Sequence, residues 1–290
     1  MRVLVTGCTG LLGSSLLPWL QHRGYDVCGV ARRGGGAHAA DLTIFPEALR
    51  LLEEARPDCI VNLAAMANVD ECEIKPAEAY RVNAGLVLNL VRWVESTATQ
   101  CRLVQISTDQ VYDGEGPHAE EHVSPLNYYA YSKCLAEEYV KRIGGISLRT
   151  NFFGRSARQG RASLSDWVID SVRAGRSITV FDDVFFSPLS IQTLIESIET
   201  VINSSVSGVF NLGSREGLSK AEFAQRLTQA AALQTPHMRR GSISSLRQVA
   251  RRPGDMRMQV SAFERALGVQ LPALNEEIAI VGRGYKDATS

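Results

Sequence analysis

Thr6-Gly7-Cys8-Thr9-Gly10-Leu11-Leu12-Gly13 decides the fold. It follows the apolar run Val3-Leu4-Val5 and opens an apolar-periodic stretch over 11–22, so a strand turns into a helix across three glycines. Glycine at such a turn lets the backbone approach a pyrophosphate, and the free N–H groups of a helix N-terminus meet its charge. Two residues separate successive glycines here, a spacing that differs from the GxGxxG of simple dinucleotide folds.

Outward from this turn, apolar strands at 2–6, 26–31, 59–64, 102–107 and 145–150 alternate with helical patterns at 11–22, 45–55, 77–98 and 128–142. Such alternation predicts an α/β chain of Rossmann type, a doubly wound parallel sheet with helices on both faces. In the third helical stretch Val82, Leu86, Leu90, Trp93 and Val94 fall on one face and read as core. A dinucleotide-binding domain is expected over 1–150 and a smaller, mainly substrate-binding region over 151–290. Within the latter, 190–213 reads as a helix and strand returning to the main sheet. Leu164, Trp167, Val168 and Val172 have core spacing, so Trp167 is expected inside; stacking of Trp167 or Phe186 on a nucleobase is the alternative.

The 290 residues are 45% hydrophobic and 21% charged, an ordinary globular composition for one large or two modest domains. Lys plus Arg and Asp plus Glu are both 31, which leaves no global field for nucleic acid or an anionic membrane, so any bound anion is held locally. The six cysteines contain no CxxC pair and read as reduced core residues. No apolar run approaches the length of a membrane span, and the first strand starts at the N-terminus with no room for a signal peptide; a cytoplasmic location is expected. His22, His38, His118, His122 and His237 have no ligand spacing, so no metal is expected.

Two further strings carry chemistry. Ser107-Thr108-Asp109 ends a strand, and Tyr129 lies four residues before Lys133. Of Tyr128, Tyr129 and Tyr131, only Tyr129 has a lysine at i+4, on the same helix face. A free phenol has a pKa near 10, and bringing it to neutrality takes about 4 kcal/mol. One ammonium about 4 Å away at an effective dielectric near 20 supplies that order of energy. Lys133 is therefore expected to depress Tyr129. Arg32 and Arg33, just past the second strand, suit the 2′-phosphate of NADPH, with NADH the alternative if they are only solvated loop residues.

These strings together resemble the extended short-chain dehydrogenase/reductase family, whose fingerprint is TGxxGxxG. Asn62-Leu63-Ala64-Ala65, Val69-Asp70-Glu71-Cys72-Glu73, Val82-Asn83-Ala84, Ile106 through Tyr112 and Pro125 through Lys133 extend the resemblance over most of the chain. The resemblance implies Tyr129 as proton donor, Lys133 as its partner and holder of the nicotinamide ribose, and Thr108 as the hydroxyl presented to a substrate carbonyl. It implies cofactor contacts from Gly7, Thr9, Gly10, Leu11, Leu12 and Gly13, from Ala64, Ala65 and Met66, and from Asp41 and Leu42 beside the adenine. Ser107 is either structural or a cofactor contact.

Within the family the chain is similar to dTDP-4-dehydrorhamnose reductases. Asn151-Phe152-Phe153-Gly154 and Arg252-Pro253-Gly254-Asp255 resemble grips on a diphosphate, so Asn151, Arg252 and Arg257 join Thr108 and Asp109 as substrate-binding candidates. A generic basic patch with Arg239, Arg240, Arg247 and Arg251 is the competing reading of Arg252, and a turn-stabilising role that of Asp109. Gln110 stands where related dehydratases carry a catalytic Glu, which disfavours elimination. Ser15 replaces a glutamate that binds metal at a dimer contact in some relatives, and Phe185-Phe186-Ser187-Pro188 departs from the reductase pattern in the substrate half. The expectation is NADPH-dependent reduction of the 4-keto group of a nucleotide-activated deoxysugar by a monomer or homodimer. Two alternatives stand beside it: an NADP-binding regulatory subunit of the methionine adenosyltransferase kind, and a sugar-nucleotide epimerase.

Overall fold

The computed structural model describes residues 1–32, 38–97, 100–158, 160–245 and 247–287. Seven parallel strands form the central sheet: β1 (Arg2–Thr6), β2 (Asp26–Ala31), β3 (His38–Ala39), β4 (Cys59–Asn62), β5 (Arg102–Ile106), β6 (Ile146–Thr150) and β7 (Gly208–Leu212). Their order is β7-β6-β5-β4-β1-β2-β3. The chain reverses direction across the sheet between β1 and β4, and in open α/β sheets the crevice beyond the strand C-termini at such a point receives ligands.

Strand periodicity sorts the two cores. Val3 and Val5 of β1 pack with Leu16, Leu20, Leu194 and Ile198, while Leu4 between them packs with Leu52, Leu90 and Trp93 on the other face. All of these are buried, each large aliphatic contributing about 1.5–3 kcal/mol of transfer free energy. A third cluster lies outside the sheet, where Phe153, Val168, Phe186, Phe223, Leu227 and Ile278 close a C-terminal lobe.

Three local expectations are corrected. The helical stretch 77–98 is broken into Pro76–Tyr80, one π-helical turn Arg81–Gly85 and Leu86–Ser96, and the short helix Val69–Ile74 precedes it. Trp167 is 42% exposed, because the helix Leu164–Arg173 turns Val168 and Ile169 inward instead. Phe186 is buried edge-on against Phe223, ring centroids 5.2 Å apart, and has no face free for a base. Among the described residues no helix is long and apolar enough to cross a membrane.

Candidate active site

The glycine turn after β1 is built by close approach. Gly7 has φ +63, and a Cβ there would stand 2.8 Å from the amide nitrogen of Ala64 at the end of β4. At Gly13 a Cβ would meet the Gly7 carbonyl oxygen at 2.6 Å, whereas at Gly10 it would meet only that oxygen, at 3.1 Å. The helix Gly13–His22 that follows has no side-chain cap and no acidic residue in its first turn. Helices 128–141, 164–173, 191–202 and 220–230 are capped by Asn127, Ser163, Ser190 and Ser219. An uncapped, uncountered N-terminus beside a tight glycine turn fits a ligand phosphate. Leu12 is buried in the core, so its share in such a site is its backbone; Thr9, Gly10 and Leu11 are half-buried at the turn.

A file of buried polar side chains braces the turn. The Thr6 hydroxyl donates to Asn62 Oδ1 and accepts the Ala64 amide at 3.2 Å, and Asn62 Nδ2 donates to Gln105 Oε1 at 2.7 Å. Asn83, inside the π-turn, accepts the Met66 amide at 2.7 Å and donates to Ser132 Oγ at 2.9 Å, which in turn donates to the Tyr129 carbonyl at 2.7 Å. The 64–66 segment is thereby tied to the helix that carries Tyr129 and Lys133.

Past β2, Arg32 is exposed near Asp41. Burial pushes the Asp41 carboxyl up, but the Thr43 hydroxyl and amide, with Arg81 and Arg32, hold it below the usual carboxylate range. Leu42 is buried, its carbonyl accepting Asn89 Nδ2 at 3.0 Å. Arg33 lies outside the described residues.

On the helix Tyr128–Lys141, Tyr129, Lys133 and Glu137 follow at i, i+4, i+8. Lys133 Nζ donates to the Ile106 carbonyl at 2.6 Å, and burial brings its pKa down to about 8 against the pull of Glu137. Burial pushes Tyr129 up to about 12, opposed by the Thr108 hydroxyl beside it and reinforced by Asp109. The expected depression of Tyr129 by Lys133 is thus corrected: the ammonium is engaged by a main-chain carbonyl, and desolvation dominates the phenol. Ser107 is buried, its hydroxyl donating to Glu137, which pairs with Arg149 at 2.6 Å in a buried bridge. Arg149 also donates to Tyr112 Oη at 2.8 Å, and Tyr112 to Asn211 Oδ1 at 2.6 Å.

Beyond β5, Thr108 caps the turn Asp109–Val111, accepting the Gln110 amide at 3.2 Å. Burial raises the Asp109 carboxyl to about 6, while the amide of Asn151 donates to it at 2.7 Å and Lys220 draws it back down. Gln110 Nε2 faces Met256 Sδ at 3.3 Å, and its Oε1 is buried without a partner among the described residues.

The segment around Arg252 is strapped across the sheet's end. Asp70 accepts the Ala250 amide at 3.0 Å and pairs with Arg252 Nη2 at 3.0 Å; Asn127 donates to the Arg251 carbonyl at 2.9 Å; the Gly116 amide donates to Asp255 at 3.0 Å. Arg252 Nη1 is buried with no acceptor among the described residues. Its basic neighbours differ: Arg239 is exposed, Arg240 pairs with Asp182 at 3.0 Å, and Arg251 reaches Asp113 only at 3.5 Å. Arg257, a candidate for the same role, is committed elsewhere, bonded to Asp255 at 2.6 Å and lying over the Phe185 ring at 5.1 Å.

Sequence reasoning missed Lys220, Asp70 and the Glu137–Arg149 pair as parts of this surround. Glu137 continues the i, i+4 series of Tyr129 and Lys133 and was findable on that ground. Lys220 and Asp70 have no local signal.

With this geometry in view, the match to known proteins is decisive: residues 1–284 align with the RmlD substrate binding domain. The chain belongs to that family. Among its relatives is the probable low-salt glycan biosynthesis reductase Agl14 of Haloferax volcanii, 26% identical over the whole of both chains. Another is methionine adenosyltransferase 2 subunit beta of Rattus norvegicus, 27% identical over 82% of this chain and 74% of that one. In structure, dTDP-4-dehydrorhamnose reductase of Bacillus anthracis, solved in complex with NADP, superposes with a TM-score of 0.86 and 27% identity over 97% of this chain and 98% of that one. The RmlD-type chain has the Rossmann sheet expected of it, and its named relatives include reductases of sugar metabolism.

Proposed function

We propose that this chain reduces the 4-keto group of a nucleotide-activated deoxysugar, drawing on NADPH. The observation that carries the reading is the Tyr129 phenol beside the Thr108 hydroxyl, with Lys133 one turn further along the same helix. Held along the glycine turn, with Arg32 toward the adenosine end, a reduced nicotinamide would supply the hydride.

The chain's own groups then have defined work. Thr108 donates to the ketone oxygen and polarises it. Tyr129, with its pKa near 12, keeps its proton at neutral pH and delivers it to that oxygen as negative charge develops there. Lys133, with a pKa near 8, is mainly an ammonium at pH 7 and stabilises the phenolate left behind. Asn151 bonds Asp109, whose carboxylate is in this reading assigned to a sugar hydroxyl. The orphaned Nη1 of Arg252 is a donor in want of an anion, and the substrate diphosphate supplies one.

Likeness to the methionine adenosyltransferase beta subunit supports a second reading, a regulatory protein that binds NADP without turnover. Loss of NADPH absorbance against a panel of nucleotide 4-ketosugars separates the two. Stoichiometric oxidation with at least one of them is expected. Binding of NADPH with no oxidation by any would overturn the reductase, and sugar interconversion with tightly retained nicotinamide would assign an epimerase.

A further inference from the structure

Lys220 is the first residue of the helix Lys220–Ala230, whose N-terminus is closed by a capping box of Ser219 and Glu222. Its main chain is anchored, the amide donating to the Val184 carbonyl at 2.8 Å. Its stem lies over Phe186, with Nζ 5.9 Å from the ring centroid. Among the described residues that ammonium has no hydrogen-bond acceptor and no carboxylate within ion-pair distance. The charges it does feel are Asp109, from the end of β5, and Arg252, from the strap.

A half-buried lysine without an ion-pair partner among the described residues, set toward a second cation, is costly. Burial accordingly holds the Lys220 ammonium below the usual lysine value, with Arg252 lowering it further and Asp109 drawing it back. Arg252 shows the same want from its own side: Asp70 takes Nη2 at 3.0 Å, and Nη1 is buried with nothing to bond among the described residues. Two cations from different parts of the chain, each with spare donors, describe a place for an anion with more than one charged group. The two are not interchangeable: Arg252 offers a planar edge, Lys220 a point charge on a flexible stem.

We propose that Lys220 is a ligand-binding residue that closes on a diphosphate together with Arg252, one phosphoryl group to each cation, so that recognition depends on the second phosphate. This rests on the nucleotide-sugar reading above and extends it to a residue in the C-terminal lobe. Asp109, whose charge Lys220 feels, then marks where phosphate ends and sugar begins, since its carboxylate disfavours a phosphoryl group at that point.

The test is calorimetric titration of dTDP and dTMP into protein saturated with NADP+, which blocks the cofactor crevice. Wild type is expected to bind dTDP at least tenfold more tightly than dTMP. Lys220→Met should bring that ratio to near one while leaving dTMP and NADP+ affinities within a factor of two, and Lys220→Arg should restore most of it. Lys220→Gln, which keeps the stem and a polar end without charge, reads the same effect if the methionine variant is unstable. An unchanged ratio in Lys220→Met or Lys220→Gln overturns the proposal, as does wild type that fails to bind dTDP or to prefer it. Failure of every ketosugar to oxidise NADPH, with the ratio still collapsing in the variants, removes the reductase reading and leaves the clamp standing.

Discussion

Asn151 Nδ2 lies 2.7 Å from Asp109 Oδ2, joining the residue just past β6 to the turn just past β5. Burial disfavours the charge of that carboxyl and raises it to about 6, although the Asn151 bond favours the charged form. A carboxyl raised above its unfolded value makes its full contribution below that value and loses it as pH rises through the folded pKa. Between 3.8 and about 6 the unfolded chain gives up this proton first, so stability falls with rising pH. The D109N variant lacks the dependence. Relative to wild type it should gain about 3 kcal/mol across that interval. Denaturant melts at several pH values check it, and parallel curves would refute the buried, raised carboxyl.

Tyr129→Phe removes the proton donor and keeps the ring. A fall in kcat on the order of 10³ is expected, with NADPH affinity within a factor of two. Single-turnover kinetics with fluorescence titration of NADPH measure both, and retention of more than a few per cent of turnover would assign the proton to another group.

The glycines of the turn should separate by role. Gly13→Ala drives a Cβ to 2.6 Å from the Gly7 carbonyl oxygen, so the turn itself must shift and the melting temperature should fall by several degrees. Gly10→Ala meets only one atom, at 3.1 Å, so its thermal loss should be smaller than that of Gly13→Ala while NADPH binding weakens tenfold or more. Equal thermal losses in the two variants would show that the turn serves the fold alone.

Arg32 is exposed and hydrogen-bonded to nothing among the described residues. Arg32→Ala should weaken NADPH at least tenfold and NADH by less than a factor of two, as expected for a guanidinium that meets only the extra phosphate. Equal weakening of both removes the case for phosphate recognition.

Local periodicity accounts for what was readable in the sequence. Val3, Leu4 and Val5 alternate between two cores, and Thr6 to Gly13 carries its own backbone demands, so sheet and turn follow from neighbours in the chain. Tyr129 and Lys133 were legible because a helix brings i and i+4 together. Trp167 shows the limit: at core spacing it was expected inside, yet the burial of its helix favours Val168 and Ile169. Lys220, Asp70 and the orphaned edge of Arg252 acquire meaning only when the strap crosses the sheet, a juxtaposition of distant segments that no window of sequence contains. The charge balance of Tyr129 was misjudged for a related reason: proximity along the helix said nothing of the Ile106 carbonyl that engages Lys133.

The strand Gly208–Leu212 is made late in the chain and laid beside β6, where Asn211 completes the bonds of Tyr112. The molecule is consequently a single weave and not a cofactor module carrying a detachable cap. Cutting after residue 150 would strip β6 of its outer neighbour and leave the Arg149 cluster open to water. Exchanging the second half for a relative's would have to leave that returning strand in place.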